Sequence, residues 1–100
     1  MSEMAGVYAH DKDGREQLIH EYFGGDYGLE DIPEFLGIGA LDDGGEVVRL
    51  HLSAQEIARL KLEMDASGFD YEPDFVQMCL DIHRFVTANT LDGVSLKATF

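Results

Sequence analysis

The sequence predicts an α+β fold in which about three helices pack against a small, mostly antiparallel sheet of three or four strands. Three observations carry that expectation. Apolar residues recur at helical spacing over 14–23, from 54 to Ser67, and over 74–88. They alternate with polar residues in EVVRLHL and VSLKATF. Clusters of turn-forming residues separate these segments, and 100 residues with 45% apolar content leave room for one domain, residues 1–100.

Taken in order, Val7 to Ala9 supplies a short strand and DKDG, 11–14, a turn in which Asp13 can cap a helix. In REQLIHEYF, Leu18, Ile19, Tyr22 and Phe23 form one helical stripe, which Gly24-Gly25 stops. Residues 24–34 read as a loop because Pro33 disfavours helical geometry at Ile32. FLGIGAL, DDGG and EVVRLHL read as a hairpin, with Gly37 and Gly39 marking a bulge or a close backbone approach.

Ser53-Ala54-Gln55-Glu56 is a capping box that opens the second helix, whose buried stripe is Ile57, Leu60 and Met64 and whose stop is Ser67-Gly68. Pro73 suits the first turn of the third helix. Phe75, Met78, Cys79, Ile82, His83, Phe85 and Val86 share one wide arc of that helix, which makes it the central one. Leu91-Asp92-Gly93 turns the chain into a last strand. Such a sheet has two edges, and the edge formed by the chain terminus is a candidate for pairing with a second copy.

Charge is the most unusual property. Asp and Glu number 20 against 7 Lys and Arg, a formal net charge of −13. Such a surface repels nucleic-acid backbones and anionic lipid and favours cationic partners. The single cysteine excludes an internal disulfide, and there is no membrane-length apolar run or signal-like start, so a soluble cytoplasmic protein is expected.

Few residues invite chemistry. Cys79 and His83, spaced i, i+4, share a helical face and could chelate a metal, but zinc needs three or four ligands and this arc is the buried one. Asp11-Lys12-Asp13-Gly14 opens like a calcium loop, yet Arg15, Glu16 and Tyr22 occupy positions where a ligand, glycine and bidentate glutamate are required. In LGIGALDDGG the acidic pair repels phosphate. No catalytic constellation, cofactor or metal site is expected.

MDASGFDYEPDF carries the strongest surface signal: acids surrounding two aromatic residues between helices, the composition of interface hot spots. GGDYGLEDIPEF repeats the theme. The candidate partner-binding residues are Asp65, Asp70, Tyr71, Glu72 and Asp74, then Asp42 and Asp43. The expected function is a non-enzymatic protein that inhibits or neutralises a basic partner, as an immunity protein, antitoxin or phage-type inhibitor of a nucleic-acid-binding protein does. The alternatives are a metal-binding domain using Cys79 and His83, and an acidic adaptor subunit from a high-salt organism.

IGALDDGGEVVRLHLS resembles the glycine-rich hairpin of the SUKH immunity family. IPEFLGIGALDDGGEVVRLHLSAQEIARL is similar to the strand and closing helix of lactate and malate dehydrogenases. Each covers less than a third of the chain. The first lacks the aromatic and acidic residues that follow the hairpin in that family, the second lacks the nucleotide-binding domain, and neither is taken as membership.

Overall fold

The computed structural model describes residues 6–21, 27–42 and 47–99. Strand β1, Gly6–His10, folds back on strand β2, Glu16–Glu21, through a tight turn over residues 11–15. The Asp11 amide donates to the Arg15 carbonyl and the Gly14 amide to the Asp11 carbonyl, each at 3.0 Å. Gly14 has φ 79°. This is a type I turn followed by a left-handed residue. The Asp11 carboxylate accepts from the Arg15 and Asp13 amides, and these bonds, the Arg15 amide first, hold its carboxyl below the usual range.

Residues 16–21 are therefore a strand where the apolar spacing predicts a helix. DKDG closes a hairpin instead of capping a helix, and a short helix is marginal beside a ladder that pairs with β1. The register also shifts: His20 opposes Val7 while Leu18 opposes Tyr8. The extra residue, Ile19, is a bulge that removes the period-two alternation and leaves a helix-like pattern. Tyr22 and Phe23 lie outside the described residues.

Helix α1, Asp31–Leu36, takes up the end of the stretch that reads as loop and also Phe35 and Leu36, which read as the start of the first hairpin strand. Pro33 is its third residue, and proline is tolerated there because first-turn amides have no intrahelical acceptor. Asp31 accepts from the Gly28 amide at 2.8 Å, and Gly37, at φ 68°, donates to the Pro33 carbonyl to end the helix. The expected hairpin comes next, with a first strand, β3, of only Ala40–Asp42 pairing with β4, Val48–Ser53. Gly39, at φ 94°, makes the close approach: a Cβ there would lie 2.8 Å from Leu50 Cδ1.

Helix α2, Ala54–Ser67, begins with the expected capping box, Glu56 N–H to Ser53 Oγ at 3.2 Å and Ser53 N–H to Glu56 Oε1 at 3.0 Å. It buries Ile57, Leu60 and Met64 and leads through a 3₁₀ turn, Gly68–Asp70, into α3, Pro73–Asn89, with Pro73 at the start. Helix α3 buries Phe75, Met78, Cys79, Ile82, Phe85 and Val86, as the arc predicts, but leaves His83, at the margin of that arc, half-buried, and strand β5, Gly93–Thr99, ends the described chain.

Thr90 caps α3 at φ 53°, a left-handed conformation that strains a β-branched residue. Thr90→Gly is expected to raise stability by about 1 kcal/mol, read as a higher urea midpoint. An unchanged midpoint would show that the cap carries no strain.

Among the described residues the sheet has five antiparallel strands in the order β2-β1-β5-β4-β3, one more than the upper expectation, the addition being β2. Strand β5 lies at the centre, so the terminal strand is not an edge. The edges are β2, which is bulged and flanked by Glu16 and Glu21, and the three-residue β3. Short, bulged and charged edges discourage strand addition. Helices α2 and α3 cover one face, where Val7, Ala9, Leu50, Leu52, Val94, Leu96 and Ala98 meet their buried stripes. No helix of the described residues is long and apolar enough to cross a membrane.

Two polar residues are buried among the described residues, Thr99 at the end of β5 and His20. His20 is buried, with Nδ1 3.0 Å from Asp81 Oδ2 of α3 and Nε2 2.8 Å from the Tyr27 hydroxyl. Each ring nitrogen therefore has a polar partner inside the fold, a carboxylate on one side and a phenol hydroxyl on the other. Asp81→Ala is expected to cost about 1–2 kcal/mol in urea denaturation, because it removes the carboxylate bonded to a buried ring nitrogen. If a His20→Ala/Asp81→Ala double variant costs as much as the two single variants summed, the pair is not coupled.

Candidate protein-interaction surface

The site is built where α1 meets the junction of α2 and α3. Buried Leu29 and Ile32 pin α1 to the core, and the next turn of the helix lifts Phe35 to 53% exposure. The 3₁₀ turn after α2 presents Phe69, 86% exposed, and Asp70, and delivers Tyr71 beside Phe35. The Phe35 ring centroid lies 6.3 Å from that of Tyr71 and 5.6 Å from that of Phe75, and Tyr71 and Phe75 are 5.6 Å apart. The Tyr71 hydroxyl donates to Glu63 Oε1 at 3.1 Å. Burial, then this carboxylate, pushes its pKa up, so Tyr71 is a neutral donor.

Two clefts flank the Phe35–Tyr71 pair. One, between α1 and α2, is lined by Phe35, Leu36, Ile38, Arg59, Leu62 and Ala66 among others. The other is lined by Tyr27, Phe35, Asp70, Tyr71, Glu72 and Phe75. Of the four large apolar side chains exposed among the described residues, Phe35 and Leu62 line these clefts and Phe69 stands on the adjoining turn.

The structure thus brings Asp70, Tyr71 and Glu72 together and distributes the other predicted residues. Asp65 lies on the outer side of the helix pair, where Lys61 Nζ donates to it at 2.7 Å, in a groove with Leu80, His83 and Arg84. Asp74 faces β2, lining a groove with Leu18, His20 and Asp81. Asp42 opposes Arg49 across the β3–β4 pair and shares a cleft with His10, His51 and Ser95 on the sheet face away from the helices. Asp43 lies outside the described residues. Phe35, Leu62, Phe75 and Tyr27 were not among the candidates. The sequence signal for two of them was the second acid-and-aromatic segment, GGDYGLEDIPEF, whose Tyr27 and Phe35 fold onto the same cleft as Asp70 and Glu72.

Cys79 is buried, which pushes its thiol up to about 12, and His83 is half-buried on the outer groove, so the two do not converge on open space. A thiol kept protonated is a poor nucleophile and ligand. Among the described residues no three His, Cys, Asp or Glu side chains are grouped to hold a metal ion.

The chain matches no protein-family model, no curated protein and no solved structure.

Proposed function

We propose that this is a small non-enzymatic protein that neutralises or inhibits a basic protein partner, in the manner of an immunity protein, an antitoxin or an inhibitor of a nucleic-acid-binding protein. One observation supports the reading above others: exposed Phe35 and Phe69 flank Tyr71 on a surface rimmed by Glu63, Asp70 and Glu72. Large apolar contact area beside a rim in which three carboxylates outnumber the single cation, Arg59, is how an interface combines affinity with steering toward a basic partner. The net charge of −13 extends the steering over the whole molecule, an effect worth roughly 10–10³ in association rate.

The test is affinity capture from the source cells by the immobilised protein and by an Asp70→Lys/Glu72→Lys variant. The wild type is expected to retain a basic protein, with retention falling about tenfold or more as salt shortens the Debye length from about 10 Å to about 3 Å. The variant is expected to lose it. Equal retention by both, or indifference to salt, would sink the proposal.

A second reading, an acidic adaptor subunit from a high-salt organism, is favoured by the dispersal of Asp65, Asp74 and Asp42 over three other sides of the fold. Its expected signature is folding stability that rises steeply only toward molar salt.

A further inference from the structure

We infer that the cleft formed by Tyr27, Phe35, Tyr71 and Phe75 is a receptor for an alkylammonium group, supplied by a lysine side chain of the basic partner; the source of the lysine rests on the function proposed above. Four aromatic residues and two carboxylates line one concavity of about 380 Å³. Its depth is graded: Phe75 is 1% and Tyr27 8% exposed, which makes them the floor, while half-exposed Phe35 and partly buried Tyr71 stand as walls. Phe35 and Phe75 pack edge to face, their centroids 5.6 Å apart at 70°, so their rings form one continuous aromatic lining. Asp70 and Glu72 sit at the mouth.

Both tyrosine hydroxyls are engaged away from the cleft. Tyr71 donates to Glu63, which lines the neighbouring cleft, and Tyr27 bonds His20 in the core. The concavity is therefore lined by rings, whose negative faces attract a cation, and by two carboxylates that complement its charge. A neutral apolar anchor would gain the same burial but nothing from the carboxylates or ring quadrupoles. A carboxylate or phosphate would be repelled by Asp70 and Glu72. An alkylammonium satisfies both halves of the lining: methylenes against the rings, charge toward the mouth. The adjoining cleft of Leu36, Ile38, Leu62 and Ala66 is left for an apolar side chain of the same segment.

The experiment uses the full chain and two small probes of equal length, n-butylammonium and 1-butanol, titrated while ring and amide resonances are followed by NMR. The amine is expected to shift Phe35, Tyr71 and Phe75 saturably and to bind about tenfold more tightly than the alcohol. Phe35→Leu keeps apolar bulk on a half-exposed site but removes a ring, so it should abolish that preference while the chain stays folded, the thermal midpoint falling by only about 4–8 °C as its two ring contacts are lost. Asp70→Asn/Glu72→Gln should weaken the amine several-fold and leave the alcohol unchanged.

Equal affinity for the two probes, shifts that map to another surface, or a preference that survives Phe35→Leu would each overturn the inference. The two readings fail separately. If a basic protein is captured through Asp70 and Glu72 while the amine shows no preference over butanol, the cleft assignment falls alone. If the amine binds at the cleft and no basic protein is captured, the cleft stands and the inhibitor reading falls.

Discussion

Phe75→Ala is expected to lower the free energy of unfolding by about 3–5 kcal/mol, a large share of the roughly 5–15 kcal/mol typical of a small domain. Phe75 is 1% exposed at the first turn of α3, with the rings of Phe35 and Tyr71 each 5.6 Å away. Truncation removes the transfer free energy of a full aromatic ring, leaves a cavity, and undoes two edge or tilted ring contacts. The site cannot collapse easily, because α1 and α3 are each fixed by other buried residues, Leu29 and Ile32 on one side and Met78 and Cys79 on the other. Urea denaturation followed by circular dichroism measures the loss. Phe69→Ala is the internal comparison: at 86% exposure it should change stability by no more than about 0.5 kcal/mol. A Phe75→Ala cost below about 1 kcal/mol would mean that the aromatic junction is not packed as described. In the same variant, n-butylammonium should no longer bind, since the cleft has lost its floor.

The second large effect is expected at Glu56, which does more than complete a capping box. One carboxylate oxygen accepts from the Ser53 amide at 3.0 Å and the other from the Gly39 amide, so a single side chain closes the start of α2 and ties down the segment leading into β3. Hydrogen bonds from the Ser53 amide, then the Gly39 amide, hold the Glu56 carboxyl below its ordinary 4.5. Glu56→Ala is expected to cost about 2 kcal/mol at neutral pH, within the range for lost caps and charge-assisted bonds on a partly exposed group.

The pH dependence has a definite sign. A carboxyl whose pKa is lower folded than unfolded contributes its full stabilisation above the unfolded value and loses it as pH falls through the folded one. The gap between wild type and Glu56→Ala should therefore be constant from neutrality down to about pH 5 and shrink below 4.5. Glu56→Gln removes the same charge from a chain of net charge −13, so it separates the lost bonds from relieved repulsion. A gap that stays constant down to about pH 3 would show that the ionised form is not what these amides hold.

Local chemistry explains which parts of the fold were legible. Ser53 and Glu56 satisfy each other over three residues, so the start of α2 depends on nothing distant. Pro73 and the apolar arc of α3, and the alternation of β5, are likewise complete in their own segments. Strand β2 and helix α1 were illegible for the opposite reason. Leu18 and Ile19 spell a helix until β1 is alongside, and only that pairing shows that Ile19 is a bulge. Pro33 reads as a breaker unless α1 is known to begin at Asp31, and that beginning is set by burial of Leu29 and Ile32 against the rest of the chain.

The candidate surface divides the same way. Asp70, Tyr71 and Glu72 were visible as acids around an aromatic residue, because exposure of a short loop between two helices follows from its polarity. Asp65 and Asp74 belong to the same stretch of sequence but not to the same surface. Helix α2 turns Asp65 toward Lys61 and the outer groove, and the first turn of α3 aims Asp74 at β2.

From residues alone came the net charge, the exposed acids around Tyr71, the capped second helix, the apolar third helix and the buried cysteine, all set by composition or by contacts within a few positions. Strand order, the fifth strand and the meeting of Tyr27 and Phe35 with Tyr71 and Phe75 belong to the tertiary structure. They depend on contacts between residues dozens of positions apart, and such contacts leave no periodicity in the segments that make them.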